Sequence, residues 1–305
     1  MAKSVPHPPY VSVVIPIYNR ADFVALCLPP LLKQTYPLDR YEIILVDDGS
    51  TDDTVMRARD LTRDWAGEFR LIQKPNGGPA SARNAGYQAA QGELIAFLDS
   101  DCVAPPNWIE ALVKPFTESQ TAGVGAPVVA GDATSWVARY LDVMDFYRHR
   151  VRGGRVDYLV TGNVAFRRDA LDQIGGFTTE PNVWVEDVEI SYRLKKSGYA
   201  LDVTSDGAVK HYGTPSSLHI LARNLYRYGK GNYLLLGTQR GGRSPVVEIM
   251  RHMGAVVLGP VFILRRAKTA TVLEAFSYWP LVVVEHTAFI AGMISGMLAK
   301  KPEPK

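Results

Sequence analysis

The chain has 305 residues, enough for about two domains. Charged residues make up 21% and the AVILMFWYC set 47%, which excludes a disordered, collagen-like or disulfide-scaffold protein. Two cysteines, Cys27 and Cys102, cannot by themselves build a disulfide framework or a structural zinc site, so a reducing compartment is the default.

The net charge of +3 conceals an asymmetry. Residues 1–209 carry 21 Lys and Arg against 27 Asp and Glu, a net −6, whereas residues 210–305 carry 13 against 4, a net +9. An acidic body joined to a basic, apolar tail suggests an anionic surface as partner.

Met1–Pro9 has no long apolar region or cleavage site, so no export signal is expected from it. Tyr10–Ile17 is apolar on nearly every position and predicts a strand buried on both faces. Asp22–Gln34 predicts a helix, Tyr41–Val46 a strand, Thr51–Trp65 a helix and Phe69–Gln73 a strand. After the Gly77-Gly78 turn, Pro79–Ala90 predicts an Ala-rich helix, and Glu93–Leu98 a fourth strand. This alternation predicts a parallel sheet with helices on both faces.

Beyond residue 105 the pattern loosens. It predicts helices over Trp108–Glu118, Ser135–Arg150 and Val185–Ser197, and strands over Gly123–Val129, Asn163–Arg167 and Tyr199–Thr204. Leu218–Leu236 reads as a basic, Tyr-bearing helix.

Two apolar stretches follow, 246–264 and 276–298. A spanning helix wants about 20 mostly apolar residues. The first stretch contains Glu248, Arg251 and His252, and the second contains Glu285 and His286. Ionisable groups at that depth cost roughly 3 kcal/mol each. The stretches therefore read either as a spanning hairpin or as buried or interfacial helices. The spacing Gly292-x-x-x-Gly296 would let another helix approach closely.

Open parallel sheets bind ligands at the carboxyl ends of their strands. Two predicted strands end in aspartates, Asp47-Asp48-Gly49-Ser50-Thr51 and Asp99-Ser100-Asp101. Paired carboxylates leaving a buried strand suit a hard divalent cation, which keeps positions open for phosphate oxygens. Helix capping explains Ser50 or Thr51, but not two acids before the glycine. A third cluster, Glu186-Asp187-Val188-Glu189 after Trp184, reads as a charged first helical turn or as part of a site.

Together these segments resemble glycosyltransferase family 2. The resemblance rests on Ile15-Pro16-Ile17-Tyr18-Asn19-Arg20, Val46 to Asp52, Asn76 to Asn84, Phe97 to Asp101, Thr161-Gly162-Asn163 with Ala165-Phe166-Arg167, Gly175-Gly176-Phe177 and Glu186-Asp187, in the family's order. It covers about residues 10–212. It implies a GT-A fold, and inverting transfer from a nucleotide-diphosphate sugar (a UDP- or GDP-sugar) with Mn²⁺ or Mg²⁺ as cofactor.

By that resemblance, Pro16, Tyr18 and Arg20 seat the nucleotide base, and Asp48 hydrogen-bonds it with Asp47 beside it. Arg83 holds the nucleotide or diphosphate side. Asp99 contacts the ribose or sugar, with Ser100 adjoining it in the donor site. Asp101 ligates the metal, and His211 adds a metal or diphosphate contact. Asp187 matches the catalytic base, with Glu186 as the second choice.

The expected organisation is a catalytic domain over 1–212, followed by a basic helix and two apolar helices over 213–305. Residues 210–245 contain six Lys and Arg, four tyrosines and no acid. Each basic group near an anionic leaflet contributes about 1 kcal/mol, so a membrane surface suits this tail better than nucleic acid. A spanning hairpin would put Arg265, Arg266 and Lys268 on the wrong side, which favours an interfacial arrangement at the cytoplasmic face. The Gln-x-x-Arg-Trp segment of the family's processive synthases is missing, which argues against processive synthesis.

The expected acceptor is lipid-linked or glycan, with transfer to a polyprenyl phosphate as the alternative. A nucleotidyltransferase would need a Gly-rich basic loop after the first strand, where Ile17–Asp22 has none. A non-catalytic membrane-bound scaffold would be expected to have lost some of the carboxylates.

Overall fold

The computed structural model describes residues 8–144, 151–152, 155–179, 185–238, 244–266 and 271–299. The elements run β1 (Val11–Ile17), α1 (Ala21–Leu31), β2 (Tyr41–Asp47), α2 (Thr54–Thr62), β3 (Glu68–Gln73), α3 (Pro79–Ala89), β4 (Leu94–Leu98), β5 (Cys102–Val103), α4 (Trp108–Val113), β6 (Thr121–Gly125), β7 (Val128–Ala130) and α5 (Trp136–Val143). Then come β8 (Val151–Arg152), β9 (Arg155–Val156), β10 (Asn163–Arg167), α6 (Arg168–Ile174), α7 (Glu186–Lys196), β11 (Ala200–Val203) and β12 (Val209–His211). The chain ends in α8 (Leu218–Thr238), α9 (Pro245–Val257), α10 (Gly259–Arg266) and α11 (Val272–Leu298).

The chain divides into two compact units. One comprises Met1–Gly131, Tyr147–Thr179 and Ile190–Gly213; the other comprises Asp132–Phe146, Glu180–Glu189 and Thr214–Lys305.

The first unit is built on a seven-stranded sheet in the order β11-β6-β10-β4-β1-β2-β3. Strands β1, β2, β3 and β4 are parallel neighbours. Their apolar residues alternate between two layers, because successive strand side chains point to opposite faces. Val11, Val13, Ile15 and Ile17 pack with Val24, Cys27, Leu28 and Leu31 of α1 and with Trp108. Val14, Ile44, Val46 and Phe97 pack on the other face with Ala82 and Tyr87 of α3 and with Phe166. Helix α3 sits close on β1: a Cβ at Gly86 would come within 2.3 Å of Val14.

Strand β10 runs antiparallel to both β4 and β6, so the sheet is mostly parallel, as a GT-A fold implies. Two details differ from the expectation. The single strand expected over Gly123–Val129 is two strands. Pro127 has no N–H for a ladder, and β7 joins a small separate sheet, β5-β12-β7. The short strand Cys102–Val103 was not anticipated, because two residues carry no period.

The second unit is helical. Its core joins Val137, Tyr140 and Leu141 of α5 to Leu221 and Leu225 of α8, Ile263 of α10, and Tyr278, Leu281 and Val282 of α11. The small-residue spacing on α11 does admit a neighbour, and that neighbour is α8. A Cβ at Gly292 would lie 2.0 Å from the Tyr226 carbonyl oxygen, and one at Gly229 would lie 2.0 Å from that of Phe289. The apolar stretch from 246 is not one rod: it bends by 97° between α9 and α10. Gly259-Pro260 lies at the break, where proline removes a helical donor. Part of the helix expected over Ser135–Arg150 lies outside the described residues, as does Trp184.

The ionisable residues of these stretches are buried together. Glu248, His252, Glu285 and His286 are each less than 10% exposed. His252 Nδ1 and His286 Nδ1 are 2.6 Å apart, and Tyr140 donates a short hydrogen bond to Glu285.

Candidate active site at the strand ends

The parallel register puts Ile17 beside Asp47, and Val14 beside Phe97 one residue short of the end of β4. The carboxyl ends of β1, β2 and β4 therefore share one edge of the sheet. Two loops there are tied to each other: Asn19 N–H donates to Ser50 Oγ at 2.8 Å, and Thr51 N–H donates to Asn19 Oδ1 at 2.8 Å. Asn19 has φ 49°, the left-handed region that asparagine tolerates better than most residues. Pro16 lies on β1, with Tyr18 and Arg20 just beyond its end. Tyr18 is exposed.

Asp47 and Asp48 are both buried. Asp47 Oδ1 accepts from Ser50 N–H at 3.0 Å. Asp48 accepts from Gly77 N–H at 3.0 Å, from Gly78 N–H at 2.7 Å and from the Lys74 ammonium. Asp48 thus organises the turn that opens α3. Gly49 between the loops has φ +84°, and a Cβ there would meet Asn76 N at 3.1 Å.

Helix α3 carries Arg83 inward. Arg83 Nη2 donates to Asp99 Oδ1 at 2.8 Å, and its guanidinium lies 5.8 Å from the Phe177 ring centroid. The next residue, Asn84, accepts from Phe177 N–H and donates to Phe177 C=O, both at 2.8 Å. Gly176 has φ +71°, and a Cβ there would come 2.7 Å from Asn84 Oδ1. The Ala-Arg-Asn and Gly-Gly-Phe segments are therefore two halves of one clasp. Gly162 plays a similar part at Asp99, where a Cβ would approach Oδ2 to 2.8 Å. Asn163 then bridges Trp108 Nε1–H and the carbonyls of Pro127 and Gly207.

Asp101 and His211 meet through the small sheet. β12 pairs antiparallel with β5, setting His211 opposite Cys102. Asp101 C=O accepts from Tyr212 N–H at 2.8 Å, and Gly131 N–H donates to His211 C=O at 2.8 Å. His211 Nε2 then lies 3.4 Å from Asp101 Oδ1. One ligand atom each from Asp101, Cys102 and His211 lies within 4.8 Å of the others.

Burial works against both charges here. For Asp101 it is outweighed by the hydrogen bond and charge of His211, with Arg20 adding to them, so the carboxyl is held below its ordinary value. For His211, burial is outweighed by the Asp101 carboxylate, so the imidazole is pushed up. The donor chemistry, carboxylate oxygen plus imidazole nitrogen, fits a divalent first-row cation.

Sequence reasoning missed two residues. Cys102 was counted only for its redox meaning. Gly213 gave no signal, yet a Cβ there would sit 1.9 Å from Asp101 Oδ2 and 3.2 Å from His211 Nε2. Ser100 lies half-buried between the two aspartates. Glu186 and Asp187 open α7 in its first turn, where carboxylates suit the helix dipole. They fall in the second unit.

Solved structures share this architecture. The mannosyltransferase PcManGT of Pyrobaculum calidifontis, in complex with GDP-Man and Mn²⁺, superposes with TM-score 0.70 at 20% identity, covering 97% of this chain and 89% of that one. S. aureus TarS (residues 1–349, with UDP) gives TM-score 0.54 at 16% identity, covering 96% and 93%. The fold is GT-A, and with these strand-end groups it defines a transferase that uses a nucleotide-sugar donor.

Residues 12–175 match Glycosyl transferase family 2, and residues 94–297 match Glycosyl transferase family group 2. Glycosyltransferase AglE of Haloferax volcanii is 31% identical over 231 residues, 73% of each chain. The chain belongs to glycosyltransferase family 2.

Proposed function

We propose that the chain catalyses inverting, divalent-cation-dependent transfer of a sugar from a nucleotide diphosphate to a hydroxyl of a membrane-associated acceptor, lipid-linked or glycan, at the cytoplasmic face. The observation that carries the reading is the convergence of Asp101 and His211 at 3.4 Å, two residues far apart in sequence.

Asp101 and His211 would hold the cation, Mn²⁺ or Mg²⁺, which stabilises charge developing on the departing diphosphate. Asp99, fixed by Arg83, orients the ribose or sugar, and Ser100 adjoins it. Pro16, Tyr18, Arg20, Asp47 and Asp48 form or support the base-binding end. Asp187, with Glu186 beside it, accepts the proton of the acceptor hydroxyl. Attack by that deprotonated hydroxyl oxygen on the anomeric carbon, from the face opposite the leaving diphosphate, breaks the anomeric C–O bond and gives inversion. Residues 1–212 act as the catalytic domain and 213–305 as the membrane-associating part.

The membrane reading is supported by the outer faces of the helical unit. Val257 is 72% exposed, and Leu273 and Leu298 are each 81% exposed. Helix α11 is long and apolar enough to cross a bilayer, by length and composition only. The buried Glu285 and His286 and the bend at Leu258 favour helices lying in the interface.

The test is a thermal-shift screen of the full chain with UDP- and GDP-sugars, with and without Mn²⁺, followed by transfer to lipid acceptors in vesicles. Stabilisation by one donor only when Mn²⁺ is present, and greater transfer with anionic vesicles than with neutral ones, are expected. Donor binding indifferent to cation, or transfer indifferent to vesicle charge, would overturn the corresponding half.

A further inference from the structure

Cys102 stands out among residues near the site because the transfer reaction gives it no task. It is the residue after Asp101, it is fully buried, and it pairs across the β5–β12 ladder with His211. Its Sγ lies 3.9 Å from Asp101 Oδ1, while His211 Nε2 lies 3.4 Å from the same oxygen. All three donor atoms fall within 4.8 Å of one another. Donors bound tetrahedrally to one ion at about 2.0–2.3 Å stand roughly 3.3–3.8 Å apart. The two distances to Asp101 Oδ1 already lie close to that range, and the thiol and imidazole would need to close by at most about 1 Å to share an ion.

From this we infer that the cation pocket is a mixed oxygen, nitrogen and sulfur site, in which Cys102 is a third donor recruited by zinc-class ions and left unused by Mn²⁺ or Mg²⁺. The inference rests on the reading of Asp101 and His211 as cation ligands. Carboxylate and water satisfy Mg²⁺ and Mn²⁺, whereas a thiolate favours zinc and softer ions. Binding such an ion replaces the S–H bond by an S–metal bond and releases one proton to solvent. An ion that uses all three donors has less need of diphosphate oxygens. Zn²⁺ and Cd²⁺ thus act as competitors of the working cation.

The small sheet holds this geometry firmly. The Tyr212 and Gly131 amides fix the backbones of Asp101 and His211, and Gly213 leaves the Asp101 carboxylate the space it occupies. The second cysteine, Cys27, also packs in the sheet core but is not in the donor set. It supplies an internal control.

The experiment titrates the metal-free full chain with Cd²⁺ and reads the ultraviolet sulfur-to-cadmium charge-transfer absorption. Zn²⁺ is then added to the Mn²⁺-loaded protein with nucleoside diphosphate, and displaced Mn²⁺ is read by electron paramagnetic resonance. One equivalent of charge-transfer signal is expected in the wild type and in Cys27→Ala, and none in Cys102→Ala or Cys102→Ser. The two Cys102 variants should retain Mn²⁺ binding while losing about tenfold or more in Zn²⁺ affinity.

Mn²⁺ bound normally with no charge-transfer signal in the wild type overturns the role of Cys102. So does a signal that survives in both Cys102 variants, or Zn²⁺ competition unchanged by them. Failure of Mn²⁺ to bind the wild type with nucleoside diphosphate overturns the cation reading itself. Using two substitutions of different polarity, each checked for wild-type Mn²⁺ binding, separates a lost donor from a lost fold.

Discussion

Two polar clusters in this chain use the same kinds of side chain in opposite ways. At the strand ends of the sheet unit, Asp101 and His211 keep a loose contact of 3.4 Å and remain partly exposed, at 18% and 13%. In the helical unit, His252 and His286 close to 2.6 Å, and Glu285 is capped by Tyr140. A buried polar group is costly unless it is hydrogen-bonded. The helical cluster offsets part of that cost by mutual closure and fastens α9 and α5 to α11. The strand-end cluster is held by backbone, through the Tyr212 and Gly131 amides. Tight side-chain closure suits a structural cluster, and a backbone-imposed spacing suits the cation site proposed above.

The largest expected effect separates chemistry from structure. Asp187→Asn should leave donor binding intact and lower transfer by about 10²–10⁴-fold, the usual contribution of a general base. Single-turnover kinetics with the donor pre-bound would check it, and wild-type turnover would exclude this residue as base. Next comes Asp101→Asn, expected to abolish cation-dependent donor binding and to lower turnover by about 10²–10³-fold. Isothermal titration with and without Mn²⁺ reads it, and Asp101→Asn should not alter the helical unit's melting.

Gly213→Ala sharpens the point about space. Displacing the Asp101 carboxylate resembles an overpacking cost of about 1–3 kcal/mol, or roughly 5–150-fold in cation affinity. Gly254→Ala, whose Cβ would meet nothing within 4 Å, is the silent counterpart. In the helical cluster, His286→Leu alone should lose about 1–3 kcal/mol of stability by stranding its neighbours, while the double replacement with His252→Leu should recover most of it. Denaturant melts read this, and donor affinity should not move.

The smallest effect is a titration. Asp101 favours the charged imidazole, so the His211 proton–carboxylate contact stabilises the metal-free fold fully below 6.5 and fades as pH rises through the raised value. An NMR titration of His211 should show a midpoint above 6.5, and Asp101→Asn should lower it. The proton competes with a cation for the same nitrogen, so Mn²⁺ affinity should fall as pH drops through that midpoint.

Much of this was legible in the residues, and the gaps have physical causes. Strands β1, β2 and β4 showed themselves as continuous apolar runs, and their terminal aspartates marked the edge where ligands bind. The direction of β10 was hidden, because a strand buried on both faces has the same pattern whichever way it runs. The Asn84–Phe177 clasp was visible only as two separate motifs, since pairing across 93 positions is tertiary. For the same reason Glu248, His252, Glu285 and His286 looked like four separate costs on two helices. The proline at 127 was a readable break that the small and apolar residues on either side concealed.

The contact between α8 and α11 has a consequence for sequence change. Where carbonyl oxygens stand 2.0 Å from the place a Cβ would occupy, there is no smaller residue to fall back on and no side chain to repack. In a saturation scan, positions 229 and 292 should each accept a one-letter alphabet. Positions 273 and 298, open to their surroundings, should read as almost any greasy letter. The helical unit would then evolve like a hinge plate with two fixed rivets and a worn outer face, its seam frozen while its surface drifts.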